Sequence, residues 1–407
     1  MNRIKVIGIM LIVLLTACSQ HDESQEEEKE KQPAFINVYV YAPEQPMVTR
    51  ADIGEVPSID NTINEKTITS LQIWVFNAES EEHENIAYFS PESVYNLNNG
   101  TGATYQLGVN DAFSQAEPKP RVDVYVVANA ASCGLALDKN TTRAQLEEAM
   151  IQIQEVEAVT KDYFGLTTLT NKVPEAGLPM SGVLRGVEVT GAAPVFKIIP
   201  TVNLMRAVSK LRFIFSNGTD KTIKITSIKL DEEMIPTQEY LFLESGENAP
   251  AYHLGVNQVT GEIEYVTGET EFVNDALSNA LKEALNDIAK NEDPIDYVYQ
   301  SGQDAKEYEE LIADGVDKGE LTQVGPYYLR ESNKRLTGKI TYDVMNGETP
   351  EKQNASAVFE MHDAGDFSRN HTWIVYAYYG VSRLEVVTVA VQEWIDTTLP
   401  PYSVYNW

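Results

Sequence analysis

The sequence offers few groups that could do chemistry. His362 and His371 lie in one stretch, Met361–His371, with Asp363 and Asp366 between them. Two imidazoles and two carboxylates so close together could hold a divalent metal, but the spacing fits no structural or catalytic zinc pattern. A stretch of this composition is more often a solvated turn. The other histidines are scattered: His21 in a polar leader, His83 in an acidic turn, His253 alone. Cys133 follows Val126-Val127-Ala128-Asn129 and reads as a small core residue rather than a nucleophile. Acidic residues are so numerous that a paired-carboxylate hydrolase site cannot be singled out. There is no Gly-rich phosphate loop, no GxSxG elbow and no HExxH. The expectation is a binding or structural protein, not an enzyme, with no cofactor and no metal.

Two positions do suggest covalent events. Asn2-Arg3-Ile4-Lys5 is a short basic region, followed by an apolar run from Val6 to Leu15. That run is far short of the roughly 20 residues that span a bilayer and fits the core of a secretion signal. It ends in Leu15-Thr16-Ala17-Cys18, which resembles the lipobox of bacterial lipoproteins and implies cleavage before Cys18 and acylation there. The second position is Arg50, in Met47-Val48-Thr49-Arg50-Ala51-Asp52-Ile53-Gly54. A single Arg in a polar linker suits a protease specific for Arg, cutting between Arg50 and Ala51.

The elements around these positions are strands. The chain has 407 residues, and 31 Lys+Arg against 61 Asp+Glu give a net charge of −30. Such a surface repels phosphate backbones and anionic lipid, so no nucleic-acid partner is expected. Ser19–Gln32 carries no apolar residue and reads as a tether. Strands are expected at Phe35–Tyr41, Leu71–Phe76, Val122–Val127, Leu211–Phe215, Ile223–Ile228, Trp373–Tyr378 and Leu384–Val391, all rich in β-branched or aromatic residues. Many short strands without regular intervening helices point to antiparallel sandwiches. Helices are expected at Thr142–Glu157, opened by a capping box of Thr142 and Gln145, and around Leu277–Ile288 in a polar insertion. A domain boundary is expected near Pro200–Met205.

Several segments in this order resemble the fimbrillins, the pilin class of type V pili. They are the lipobox at Cys18, the strand Phe35–Tyr41 with Arg50-Ala51 after it, Ile68–Phe76, Arg121–Asn129 and the capped helix at Thr142. Further along come Leu178-Pro179-Met180-Ser181-Gly182, Arg206–Leu211, Arg369-Asn370-His371, Val389–Trp394 and the terminal Trp407. The resemblance implies a mainly all-β fold, two transthyretin-like β-sandwich domains with short helical insertions. The implied organisation is a signal peptide (1–17), a tether with a removable first strand (18–50), sandwich domains at 51–203 and 204–394 with the insertion at about 271–321, and a tail (395–407). It implies export to the outer membrane as a lipid-anchored precursor. There an Arg-specific surface protease of the gingipain type removes the first strand, whose apolar and aromatic residues are Phe35, Ile36, Val38, Tyr39, Val40 and Tyr41. The open groove then accepts the tail of another fimbrial subunit, in a homo- or hetero-polymer that forms the cell-surface fimbrium. The candidate donor side chains are Ile395, Leu399, Tyr402, Val404, Tyr405 and Trp407.

Thirteen extended residues reach about 43 Å at ~3.3 Å each, enough to run the length of a domain. Burying four or five apolar side chains would contribute roughly 6–15 kcal/mol gross, before association and ordering costs. Pro400-Pro401 interrupts the tail, and proline cannot donate to a ladder. A shaft subunit is one expectation; a tip or anchor subunit of the same fimbria, or a surface glycan-binding lipoprotein, are the alternatives.

Overall fold

The structure is a computed structural model that describes residues 33–42, 67–94, 97, 102–152, 177–231, 238–242, 270–271, 288, 311–312, 314–315, 318–332, 336–360 and 369–393. Cys18, Arg50, Ala51, His21, His253, His362, Trp394, nearly all of the insertion and the whole tail from Ile395 to Trp407 lie outside the described residues. The described residues from Ala34 to Glu393 belong to one compact unit.

Two β-sandwiches follow one another along this unit. The strands of the first are β1 (Phe35–Tyr41), β2 (Leu71–Asn77), β3 (Asn85–Phe89), β4 (Ala103–Gly108), β5 (Val122–Ala128), β7 (Met180–Val187), β8 (Val189–Ala192), β9 (Val195–Ile198), β10 (Val202–Asn203) and β11 (Met205–Arg206), with β6 (Met150–Gln152) outside its two sheets. One sheet has the order β11-β7-β5-β2-β3, and the other is built around β1 with β4 on one side and β10, β9 and β8 on the other. Alternation fixes which side chains enter the core. In β4, Ala103, Tyr105 and Leu107 are buried while Thr104, Gln106 and Gly108 are exposed. β2 and β5 are apolar on both faces, because the outer face of their sheet is also covered: Trp74, Phe76, Tyr125 and Val127 pack under Leu146, Ile151, Leu241 and Phe242.

The second sandwich contains β12 (Ser209–Asn217), β13 (Thr222–Leu230), β15 (Thr270–Glu271), β16 (Thr322–Leu329), β17 (Thr337–Asn346), β18 (Thr349–Glu360), β19 (His371–Tyr379) and β20 (Leu384–Glu393), while β14 (Gln238–Tyr240) pairs with β6 in a separate two-stranded sheet. Its sheets run β16-β12-β19-β20 and β15-β13-β17-β18. Their shared core includes Leu211, Phe213, Phe215, Ile228, Ile340, Trp373 and Val375. The largest core of the first sandwich ends at Leu204, and that of the second begins at Leu211.

Two expectations need correction. The sheets are not purely antiparallel: β1 runs parallel to β9 and β10, and β12 runs parallel to β19. Period-two alternation fixes the face of a strand but is blind to its direction. The helix expected over Thr142–Glu157 is also much shorter. It begins at the foreseen capping box and covers only Arg143–Glu147 (α2; α1 is Asp111–Gln115). The chain then enters β6, which pairs with β14. A single helical turn is marginal by itself, and the strand partner supplied from far along the chain overrides the helical pattern.

Candidate functional site

The site is β1 and the channel it fills. Ile36, Val38 and Val40 are each 0% exposed, flanked by the buried small residues Ala34 and Ala42. They enter the core together with Tyr105 and Leu107 of β4, Phe196 and Ile198 of β9 and Val202 of β10. On the opposite face Phe35 and Asn37 are half-buried, Tyr39 is exposed and Tyr41 is buried. The structure therefore brings all six strand residues singled out from the sequence into one sheet position.

That position is internal. β1 pairs antiparallel with β4 from Phe35↔Gly108 to Val40↔Ala103. On its other side it pairs parallel with β9 at Phe35–Asn37 and with β10 at Val40 and Tyr41. Among the described residues, β4 and β10 have β1 as their one strand partner. The backbone continues the ladder at each end: the Phe35 amide donates to the Pro194 carbonyl (2.8 Å), the Val109 amide to the Ala34 carbonyl (3.0 Å) and the Leu204 amide to the Tyr41 carbonyl (2.9 Å). Without β1 this sheet is divided through its middle, with two rows of unpaired backbone groups facing an apolar slot.

The second sandwich supplies an internal comparison. Its first strand, β12, also sits between an antiparallel neighbour (β16) and a parallel one (β19). From β12 the chain crosses to the facing sheet through residues 218–221, whereas from β1 it makes the same crossing through residues 42–70. Arg50 lies in that long connection.

Where the chain returns to the described structure, after residue 66, it is fastened by Asn129. This residue is fully buried and holds the left-handed conformation at φ 59°, ψ 37°. Its Oδ1 accepts from the Thr69 amide (2.9 Å) and its Nδ2 donates to the carbonyls of Thr67 and Leu178 (2.8 Å each). Gly177, at φ +82°, lies so close that a Cβ there would stand 2.2 Å from the Thr67 carbonyl oxygen. Composition gave no hint of this node; a polar residue directly after the run Val124-Tyr125-Val126-Val127-Ala128 was the only signal.

Sequence reading also missed the ionic junction beside the sandwiches. Glu331 is fully buried and accepts from the Arg369 guanidinium at 3.0 and 2.8 Å. Arg369 in turn donates to the carbonyls of Tyr240 (2.8 Å) and Leu241 (2.9 Å), and Ser181 Oγ donates to Leu241 (2.6 Å). Arg206 reaches Asn370 Oδ1 at 3.4 Å. The Met180-Ser181-Gly182, Arg206 and Arg369-Asn370 motifs therefore meet at one place, where the first and second sandwiches are joined. Within the first sandwich Gly182 lets β7 pass close to β10, since a Cβ there would stand 2.5 Å from the Asn203 carbonyl oxygen.

His371 opens β19 and its Nδ1 lies 2.8 Å from the Arg369 carbonyl oxygen. Among the described residues no group of three or more His, Cys, Asp or Glu side chains could hold a metal ion. Trp74 and Trp373 are both buried and offer no exposed platform for a sugar. Among the described residues no helix is long and apolar enough to cross a membrane.

The described residues form a mainly β chain of two sandwiches, whose first strand is internal yet joined to the rest by a long connection. Residues 49–230 match the family described as the major fimbrial subunit protein (FimA). No curated protein matches the chain. Among solved structures it is similar to the tip fimbrial protein Mfa3 from Porphyromonas gingivalis with C-terminal truncation, at 14% identity and TM-score 0.43, covering 89% of this chain and 100% of that one. It is also similar to a fimbrilin (fimA) from Porphyromonas gingivalis, at 10% identity and TM-score 0.46, covering 90% and 99%. A third is a fimbrial assembly protein from Parabacteroides distasonis, at 11% identity and TM-score 0.39, covering 89% and 99%.

Proposed function

We propose that the chain is a shaft subunit of a surface fimbria, exported as a lipoprotein through Cys18, cut between Arg50 and Ala51, and polymerised when the C-terminal tail of a neighbouring subunit takes the place of β1. The observation that carries this reading is the position of β1. It alone joins β4 to β9 and β10 among the described residues, while residues 42–70 tie it to the rest of the fold. Cutting that connection turns an intramolecular strand into a replaceable one. The three fully buried side chains Ile36, Val38 and Val40 represent roughly 5–9 kcal/mol of gross apolar stabilisation, a gain that any replacement strand inherits. The partners are other fimbrial subunits and an Arg-specific surface protease, with the lipid anchor holding the precursor in the outer membrane beforehand.

The N-terminal residue of the protein recovered from the cell surface tests the cut. Ala51 is expected; a chain that still begins at lipidated Cys18 in the assembled fibre would contradict it and favour an anchor subunit. Deleting Ile395–Trp407 tests the donor. The precursor should still fold and be cut, but polymers should be lost. A truncated chain that still joins a fibre at its end would instead identify a tip subunit, the reading that Pro400-Pro401 favours.

A further inference from the structure

We propose that the fold withholds its later arginines from the protease that cuts at Arg50, and that the Tyr342 hydroxyl guards Arg383, the most exposed of those described; this rests on the Arg-specific cut proposed above. Nine arginines follow Arg50. A protease needs an extended, accessible segment, and a folded body yields one only where it opens. Arg206, Arg212, Arg330 and Arg369 are buried. Arg212 donates to Gln323 Oε1 (2.6 Å), and Arg330 Nε donates to the Ile151 carbonyl (3.3 Å). The residues after three of these arginines, Ala207, Phe213 and Glu331, are buried too. Arg143 and Arg185 are half-buried and tied to carboxylates: Arg143 to Asp123 (2.7 Å) and Glu147 (3.2 Å), Arg185 to Glu147 (3.6 Å). Arg335 lies outside the described residues, and Leu336 after it is buried. The lysines are placed differently. None of those described is buried, and Lys139, Lys197, Lys318, Lys339 and Lys352 are exposed.

Two of the described arginines have exposed side chains. The Arg121 side chain is 57% exposed. Its carbonyl accepts from the Ala78 amide (2.9 Å), and Val122, which follows, is buried in β5 between β2 and β7. The Arg383 side chain is 74% exposed and sits in the turn of residues 380–383 that joins β19 to β20. Here the peptide bond, not the side chain, is held back. The Arg383 carbonyl accepts from the Gly380 amide (3.3 Å), and the Ser382 carbonyl accepts from Lys352 Nζ of β18. On the far side of the Arg383–Leu384 bond, the Leu384 amide donates to Tyr342 Oη (3.0 Å). Tyr342 reaches it from β17 in the facing sheet, and both residues are buried in the second core. For this bond to meet a protease, Leu384 has to leave that core and give up the Tyr342 hydroxyl.

What lies beyond the turn explains why this bond needs a guard. Hydrolysis adds water across the amide and leaves a carboxylate on Arg383 and an amine on Leu384. It would sever Leu384–Trp407 from the rest of the covalent chain, and with it β20 and the tail that donates to a neighbour. A cut at Arg50 does the opposite, releasing β1 from its connection and keeping the tail. Buried ion pairing accounts for Arg369 by itself, because the guanidinium fork suits that role. It does not account for a hydrogen bond placed on the peptide group that follows an exposed arginine.

Limited proteolysis of the chain without its first 18 residues tests both parts. At a low concentration of an Arg-specific protease, cutting tracks the open population, and fragments are identified by mass and N-terminal sequence. One cut is expected, after Arg50; a cut after any later arginine within about tenfold of that rate would overturn the shielding. A Lys-specific protease should cut after Lys139 and Lys318. A body that resists it equally would show that folding as such, not the placement of arginines, gives the protection. Tyr342→Phe keeps the ring and removes the hydroxyl. It should raise cutting after Arg383 about fivefold to tenfold and leave cutting after Arg50 unchanged. An equal rise after Arg121 would mark a general loss of stability, and no rise after Arg383 would leave the hydroxyl without effect; either result overturns the guard. If Arg50 itself is not cut, the proposed processing fails, while Tyr342→Phe still tests the guard at Arg383.

Discussion

At the scale of single residues, the buried polar groups carry the sharpest consequences. Asn129→Ala removes the amide that satisfies Thr67, Thr69 and Leu178 and places a Cβ-only side chain at positive φ. The loss is expected to be on the order of 3 kcal/mol, read as a lower denaturation midpoint at unchanged slope. Arg369→Met leaves Glu331 as a buried carboxylate without its guanidinium and should cost about 3–5 kcal/mol, while the double change Arg369→Met with Glu331→Leu should recover much of that. A double-mutant cycle on the folded chain measures both. Tyr125 gives a pH signature. Burial first, and then its 2.6 Å hydrogen bond to Glu147, push its hydroxyl up to about 12 from the ordinary 10. The folded state therefore favours the neutral phenol. The stability this gives is complete below about pH 10 and is lost as the pH rises toward 12. Tyr125→Phe should flatten that alkaline limb of the stability curve.

At the scale of elements, β1 explains what cutting does and does not do. Severing the chain at Arg50 leaves every hydrogen bond and buried side chain of β1 in place, so nicked protein should keep its fold until a competing strand arrives. Removing β1 outright by producing residues 51–407 should raise amide exchange selectively in β4 and β10, which lose their strand partner, while β12, β17 and β19 stay protected. Adding a peptide of Ala34–Ala42 should restore protection in β4. Uniform exchange across both sandwiches would show that the slot is not a local unit. The short helix α2 belongs to the same scale. Its capping box is local and complete, yet it holds only Arg143–Glu147, because Leu146 and Ile151 are claimed by the outer core over Trp74 and Tyr125.

At the scale of the whole molecule, a cut subunit of residues 51–407 would keep 26 Lys+Arg against 54 Asp+Glu, a net charge of −28 that would govern how the proposed fibres meet each other. Identical subunits repeated along a fibre present the same negative surface to any neighbouring fibre, and repulsion of that kind falls within a Debye length of about 8–10 Å at 0.1–0.15 M salt. Fibres should stay dispersed at low ionic strength and bundle as salt rises, as light scattering or electron microscopy would record. Strand replacement itself is apolar and backbone-driven, so the polymer's own length distribution should change little over the same range.

Much of this was legible from residue order alone. Spacing of apolar residues located β1, β2, β5, β12, β13, β19 and β20, and Thr142 with Gln145 marked a helix start, because each of these signals is written within a few neighbouring residues. What only the tertiary structure decided is who stands beside whom. Phe35 meets Gly108 and Val195, Lys210 meets Thr372, and Glu331 meets Arg369, partners separated by long stretches of chain. Those choices come from packing two sheets around one core, where strand order and direction are set by the best joint burial of all strands. No local pattern carries that information, and so the internal place of the first strand became visible only once the fold had closed around it.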